Sequence, residues 1–394
     1  MSDNWRKTIS EHLNTLAKAG MLREVRPYKN DSGLLNLTDN DYLGLAGDLE
    51  LREQFLNSEA RLHAPSASAS ALLMGKSAAH EKLEELLCNL YGRPVTLFHS
   101  GWQANTGFIT ALASVFKSRL LILADRLIHA SMIDGMRMAS LSGAVVRRWR
   151  HNDTAHLQAF LENEAARYEA VLVLTESVFS MDGDGSPLAE LQCLKAQFDN
   201  VILAVDEAHA FACMGPEGRG LCAERGVLAE VDILIGTLGK AAASAGAFVA
   251  ASKELTALFV NAARPLIYST AESPLQAAWS GFVIDRLPMF EERRKRLAKI
   301  TSSVQERVAA LFSHPLNKVS SSHIVPIVFD DLDSAQSARL ALKDSGISVS
   351  LIRPPTVPAN APRLRLSLKA TLTDGDVDRL IQVLERFSRG RHAH

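Results

Sequence analysis

Lys240 lies in ILIGTLGKAAASAG (Ile233–Gly246), just past a short apolar run and followed by residues too small to shield an ammonium. Such a lysine is either a surface group in a tight turn or a desolvated amine of lowered pKa that can bond to a carbonyl carbon. Other polar residues occupy the same place after other apolar runs. Gly101 and Trp102 follow VTLFHS, His129 follows LLILAD, Glu176 and Ser180 follow AVLVLT, His209 follows VILAVD, and Thr237 stands three residues before the lysine. Asp206, which closes VILAVD, is a carboxylate at the end of an apolar run, where an unpaired charge is costly and a cationic partner is expected. Gly101 and Trp102 open a helix whose first N–H groups suit a phosphate. Taken singly, each has an ordinary explanation: Asp206 as a polar strand end, His129 and His209 as satisfied turn residues, Gly101 as a helix start.

An open α/β sheet would gather them. VTLFHS, LLILAD, AVVRRW, AVLVLTES, VILAVDEAH, ILIGT and AGAFVAA are seven strand candidates, most apolar throughout, as strands covered on both faces are. Helical stretches between the early ones make βαβ units and a mainly parallel, doubly wound sheet. AGAFVAA follows ILIGT after too few residues for a crossover, so that pair is expected to be antiparallel. Ligands in such sheets lie beyond the carboxyl ends of the strands, where all these polar residues fall. Pyridoxal 5′-phosphate (PLP) uses this set of groups: Lys240 for its aldehyde, Asp206 for its ring nitrogen, His129 on the ring face, His209 on the phenolic oxygen, Thr237 as a further hydroxyl, and the Gly101-Trp102 helix start for the phosphate.

Elsewhere the spacing predicts a helix from Asn4 to Ala19, a short strand and tight turn in LLNLTDNDYLGLAG, and helices over about Leu49–Leu62 and Ala79–Gly92. After Ser273 the composition turns helical. EERRKRLAKITSSVQERVAALF is long enough to bridge two domains, and HIVPIVFDD, ISVSLIRPP and RLRLSL with two helices make a small α+β unit. The expected organisation is an N-terminal helix and strand segment over 1–46, a large cofactor-binding domain over 47–286 and a small C-terminal domain over 287–394. The 394 residues carry a formal net charge of −1 with basic residues scattered, which argues against nucleic-acid and membrane surfaces. The four cysteines show no CxxC spacing and no metal-ligand pattern with histidine, so no metal is expected. No apolar run reaches spanning length, and a cytoplasmic protein is expected. A second class of function competes. VDEAH also resembles the magnesium motif of DEAH-type ATPases, and Gly75-Lys76-Ser77 ends like a phosphate-binding loop, but Ser70 stands where that loop needs its first glycine.

Eight motifs occur in the order seen in α-oxoamine synthases: TDNDYLGL, HSGWQAN, HASMIDG, TESVFSMDGD, VDEAH, GTLGK, RPLIYST, and IRPPTVP with RLRLSL. From Leu34 to Leu384 the chain resembles that family, PLP enzymes of the aspartate aminotransferase fold (PLP fold type I), with a mainly parallel seven-stranded sheet and a smaller α+β C-terminal domain. SMDGD and IRPPTVP look most like members that condense L-alanine with pimeloyl-CoA or pimeloyl-acyl-carrier protein in biotin synthesis; sister enzymes use glycine and another acyl-CoA. The resemblance implies that Lys240 carries the cofactor, Asp206 pairs its ring nitrogen, His129 stacks on it, and Ser180, His209 and Thr237 hydrogen-bond it. It also implies that Gly101 and Trp102 hold the phosphate with Ser269 or Thr270 of a second subunit, that Arg365 binds the amino-acid carboxylate beside Asn40, and that the enzyme is a homodimer. The chain departs from the family at Ala71, where Arg or His is usual, and at Phe211, both expected to bear on acyl entry.

Overall fold

The structure is a computed structural model and describes residues 4–25, 33–58 and 60–391. Its strands, in chain order, are β1 (Leu35–Leu37), β2 (Val95–Phe98), β3 (Leu120–Asp125), β4 (Val145–Trp149), β5 (Ala170–Glu176), β6 (Val201–Asp206), β7 (Ile233–Thr237), β8 (Ala247–Ala250), β9 (Ile324–Val328), β10 (Ile347–Ile352) and β11 (Arg363–Ser367). The seven runs predicted as strands form one sheet in the order β2-β8-β7-β6-β5-β3-β4. Pairs among β4, β3, β5, β6 and β7 are parallel, and β8 runs antiparallel to both β7 and β2, as the short β7–β8 connection requires.

Alternation along each strand divides its side chains between two buried layers. Leu121, Leu123, Val171, Val173, Leu203 and Val205 enter one cluster. Ile122, Ala124, Leu172, Leu174, Ala204 and Ile235 enter the other, with the helix Gly101–Phe116. Both faces are therefore covered, which is why these runs read as continuously apolar. Gly236 on β7 is required by packing, since a Cβ there would sit 2.2 Å from the Phe248 ring of β8.

A second sheet has the order β1-β10-β11-β9. β1 pairs in parallel with β10, Leu35 opposite Ile347, so the N-terminal strand is an edge of the sheet built from the C-terminal part of the chain. The long charged stretch forms the helix Glu291–Leu311, with Arg294, Leu297, Thr301, Val304 and Val308 buried along one face. The helix expected over Leu49–Leu62 stops at Ser58 and is followed by a 3₁₀ turn, Ala60–Leu62; Glu59 lies outside the described residues. No helix among the described residues is long and apolar enough to cross a membrane.

Candidate active site

Lys240 is not a surface lysine. Its Nζ lies 3.0 Å from His209 Nε2, and burial lowers its pKa to about 8 even though the carboxylates of Asp206 and Glu176 pull upward; Arg365 lowers it further. Burial, then the Lys240 and Arg365 charges, push His209 well below the usual histidine value, so the ring beside the amine is neutral. His209 Nδ1 meets Tyr42 Oη at 2.6 Å. That phenol donates its one proton to Asn40 Oδ1 at 2.9 Å, which leaves His209 Nδ1–H as donor to Oη and Nε2 as acceptor toward Lys240.

Asp206, at the end of β6, takes Ala208 N–H on Oδ1 at 2.9 Å and Asn105 Nδ2 on Oδ2 at 2.9 Å. Asn105 also donates to Ser131 Oγ at 3.0 Å, and Ser131 Oγ lies 2.7 Å from His129 Nδ1. Ser131 N–H donates to His129 Nδ1 at 3.3 Å, so Nδ1 is an acceptor and the His129 proton is on Nε2. Burial lowers the His129 pKa, with Lys240 adding to the fall and Asp206 opposing it. Glu176 stands directly opposite Asp206 in the β5–β6 register, and burial beside that carboxylate drives its pKa well above the usual range.

Arg365, on β11, reaches this group from the small sheet with its five N–H groups all engaged. Nε donates to the Ser180 carbonyl at 2.6 Å, Nη1 to Ser367 Oγ at 2.6 Å and Asn40 Oδ1 at 3.1 Å, and Nη2 to Asn40 Oδ1 at 3.2 Å and Tyr42 Oη at 3.3 Å. Asn40 Oδ1 thus occupies the fork of the guanidinium, the position a carboxylate oxygen takes in a bidentate pair. Ser180 contributes its backbone carbonyl here.

At the opposite side, Ser100 caps the helix Gly101–Phe116, leaving the first N–H groups of Gly101 and Trp102 without intrahelical acceptors. A Cβ on Gly101 would lie 3.8 Å from Thr237 Oγ1, so the helix start abuts the strand end that leads to Lys240. The Trp102 ring stands edge-on to the His129 ring at 6.0 Å. Ser269 and Thr270 stand apart. Ser269 Oγ accepts from Gln103 Nε2 at 3.4 Å, and both residues line a cavity of about 510 Å³ that none of Lys240, Asp206, His129 or His209 lines.

The donor set fits PLP. A buried amine of lowered pKa, a carboxylate on the neighbouring strand end, a flat imidazole and a helix start with unused N–H groups lie together, and Asn105 Oδ1 and Glu176 Oε1 are buried with no hydrogen-bond partner. Asn105, Ser131 and Tyr42 were not singled out from the sequence. Asn105 stands four residues after Gly101, one helical turn on and on the same face, which is the signal that could have found it.

Several expectations need correction or close here. Phe211 is not at an entrance: it is buried, with its ring against Tyr91 at 6.4 Å and Phe248 at 5.0 Å. Glu207 of VDEAH is held by Ser177 Oγ at 2.7 Å and by the N–H groups of Leu221 and Cys222 at 3.0 and 2.6 Å, a structural role. Ser77 caps the helix Ala78–Tyr91 and Lys76 pairs with Glu84, so the loop-like GKS is spent locally.

The family profile described as Aminotransferase class I and II matches residues 32–384. An 8-amino-7-oxononanoate synthase of Haemophilus ducreyi is 39% identical over 392 residues, covering 95% of this chain and 99% of its own. Among solved structures, serine palmitoyltransferase of Sphingomonas wittichii is similar with a TM-score of 0.86 at 26% identity, covering 99% of this chain and 98% of its own. 8-Amino-7-oxononanoate synthase of Francisella tularensis is similar with a TM-score of 0.75 at 26% identity, covering 92% and 99%.

Proposed function

The chain belongs to the class I and II aminotransferase family, as a PLP-dependent acyltransferase of the α-oxoamine synthase type, and from that premise we propose its reaction. It condenses L-alanine with a pimeloyl thioester, carried on CoA or an acyl-carrier protein, and releases 8-amino-7-oxononanoate, CO₂ and the free thiol. This is a step of biotin synthesis, carried out in the cytoplasm by a homodimer to which Ser269 and Thr270 of each copy contribute across the interface. The alanine and pimeloyl specificity is supported by the identity to the Haemophilus ducreyi synthase.

PLP, when bound, supplies an aldehyde that takes up an amine and a protonated ring that accepts the electron pair of a broken Cα bond. Lys240 would hold the aldehyde carbon of bound PLP, and its lowered pKa leaves a fraction of neutral amine near pH 7.5 that would serve as the proton acceptor at Cα. Asp206, fixed through both oxygens, keeps the proton on the ring nitrogen, and His129 covers the ring face. His209 serves the phenolic oxygen, Gly101 and Trp102 the phosphate, and Thr237 and Ser180 border the cofactor. Arg365 receives the amino-acid carboxylate at the fork that Asn40 Oδ1 now fills. By fixing the carboxylate, this clamp would set which Cα bond is presented to the cofactor.

One observation carries the proposal. Residues from three distant parts of the chain form a continuous contact path beside Asp206: Lys240 Nζ to His209, His209 to Tyr42 Oη, and Tyr42 Oη to Arg365. To test it, PLP-loaded protein is given pimeloyl-CoA with L-alanine or with glycine, and the product mass and CO₂ release are followed. Turnover with L-alanine in clear excess over glycine is expected; preference for glycine, or no product with either, would refute the assignment.

A further inference from the structure

Beyond the site, three charged or titratable groups form a cluster that the chemistry above does not use. His151, in the turn after β4, bridges two carboxylates. Its Nδ1 lies 2.9 Å from Asp125 Oδ1, at the end of β3, and its Nε2 lies 2.7 Å from Asp184 Oδ2. Asp125 is fully buried and Asp184 nearly so. The Phe179 ring stands edge-on to the imidazole at 4.4 Å. A ring with a carboxylate on each nitrogen needs two N–H donors, which only the imidazolium provides. Burial opposes that charge, but the two carboxylates outweigh it and raise the pKa to about 10. His151 is a permanent cation at neutral pH.

Asp184 belongs to the turn Ser180–Gly185, whose other side is tied to the small sheet. Asp182 pairs with Arg363 on β11. The Gly183 carbonyl accepts from Ser321 N at 3.0 Å and Ser322 Oγ at 2.8 Å. The Ser180 carbonyl accepts from Arg365 Nε at 2.6 Å. The fit leaves no slack, since Gly183 has φ +68° and a Cβ there would lie 2.0 Å from the Ile324 carbonyl. The turn is a bracket between the sheets, and His151 holds its large-sheet end together with Asn152 Nδ2, which donates to Asp184 Oδ2 at 2.8 Å and to the Gly185 carbonyl at 3.1 Å.

We propose that His151 is a positioning residue for the amino-acid carboxylate: it pins the Ser180–Gly185 turn to the end of β3 and thereby fixes Arg365. This rests on the proposed function in one respect, that an amino acid binds through Arg365. His151→Gln is expected to fold, because Asp125 keeps the N–H groups of Leu127 and Asn152 and Asp184 keeps Asn152 Nδ2.

The test uses PLP-loaded protein, with amino-acid affinity read from the change in the cofactor's visible absorbance on adding L-alanine, together with KM for both substrates. His151→Gln should weaken L-alanine binding and raise its KM by about tenfold, leave PLP content and the thioester KM within about twofold, and show no such effect in an Arg365→Ala background. His151→Arg, which restores a cation, should recover most of the loss. Unchanged L-alanine affinity, an equal rise in both KM values, or the same loss without Arg365 would overturn the role. If His151→Gln does not fold, Asp184→Asn, which weakens the same bridge from its other end, carries the same expectations. Wild-type protein that gives no absorbance change with L-alanine or glycine would sink the functional reading itself. A wild type that responds, with a variant that matches it, would sink only the role of His151.

Discussion

The lowered pKa of Lys240 makes a quantitative demand on how the protein takes up its cofactor. At about 8, roughly a quarter of the amines are neutral at pH 7.5, against about one in a thousand for an ordinary lysine. Only the neutral amine attacks an aldehyde, so cofactor-free protein should capture PLP about two hundred times faster than an unperturbed lysine of equal access. The perturbation is a pH series on cofactor-free protein, with Lys240→Ala as the blank; the readout is the growth of the cofactor's visible band, trapped with borohydride and located by peptide mapping. The rate should rise with pH and level off above about pH 8. Replacing Arg365 by Met removes a nearby positive charge and should move the inflection upward. A rate that keeps climbing to pH 10 with no inflection, or a label on another lysine, would refute the reasoning. Burial would then not be acting on this amine as its surroundings imply.

Other predictions follow from single contacts. Tyr42→Phe removes the hydroxyl shared by His209, Asn40 and Arg365, and should lower kcat/KM for the amino acid by about 5- to 150-fold, the equivalent of about 1–3 kcal/mol, in steady-state assays. Glu272 is buried with neither carboxyl oxygen paired, and burial raises its pKa from 4.5 to about 8. The folded protein therefore holds a proton that the unfolded chain gives up, and stability falls as pH rises from about 4.5 to 8, by at most about 1.4 kcal/mol per pH unit. Thermal melts of Glu272→Gln should show that slope flattened, and a slope unchanged from wild type would contradict the assignment. Cys193 is exposed whereas Cys213 and Cys222 are buried, with thiol pKa values pushed up by burial; a maleimide should label native protein first at Cys193, and labelling of Cys213 or Cys222 at a similar rate would show the core to be open.

What could be read without coordinates was whatever depends on near neighbours. The apolar runs of β3, β5 and β6 are buried on both faces, so their composition alone announced strands of a covered parallel sheet. His129, Ser180, Asp206, His209, Thr237 and Lys240 lie at or within a few residues of strand ends, and the direction of a parallel sheet puts all such ends on one edge. Tertiary structure decided the pairings across elements. Nothing local to Asn105 says that its amide meets Asp206, nor that Tyr42, just beyond β1, lies between His209 and Arg365. β1 reaches that place only because it joins the far edge of the small sheet. Phe211 looked like an entrance residue by its position after His209, yet its ring turns into the core against Phe248. The physical reason is the same in each case. Periodicity and turn chemistry act over a few residues and specify elements and their ends, whereas the partner of a side chain is set by strand order and packing among segments that meet only in the folded chain.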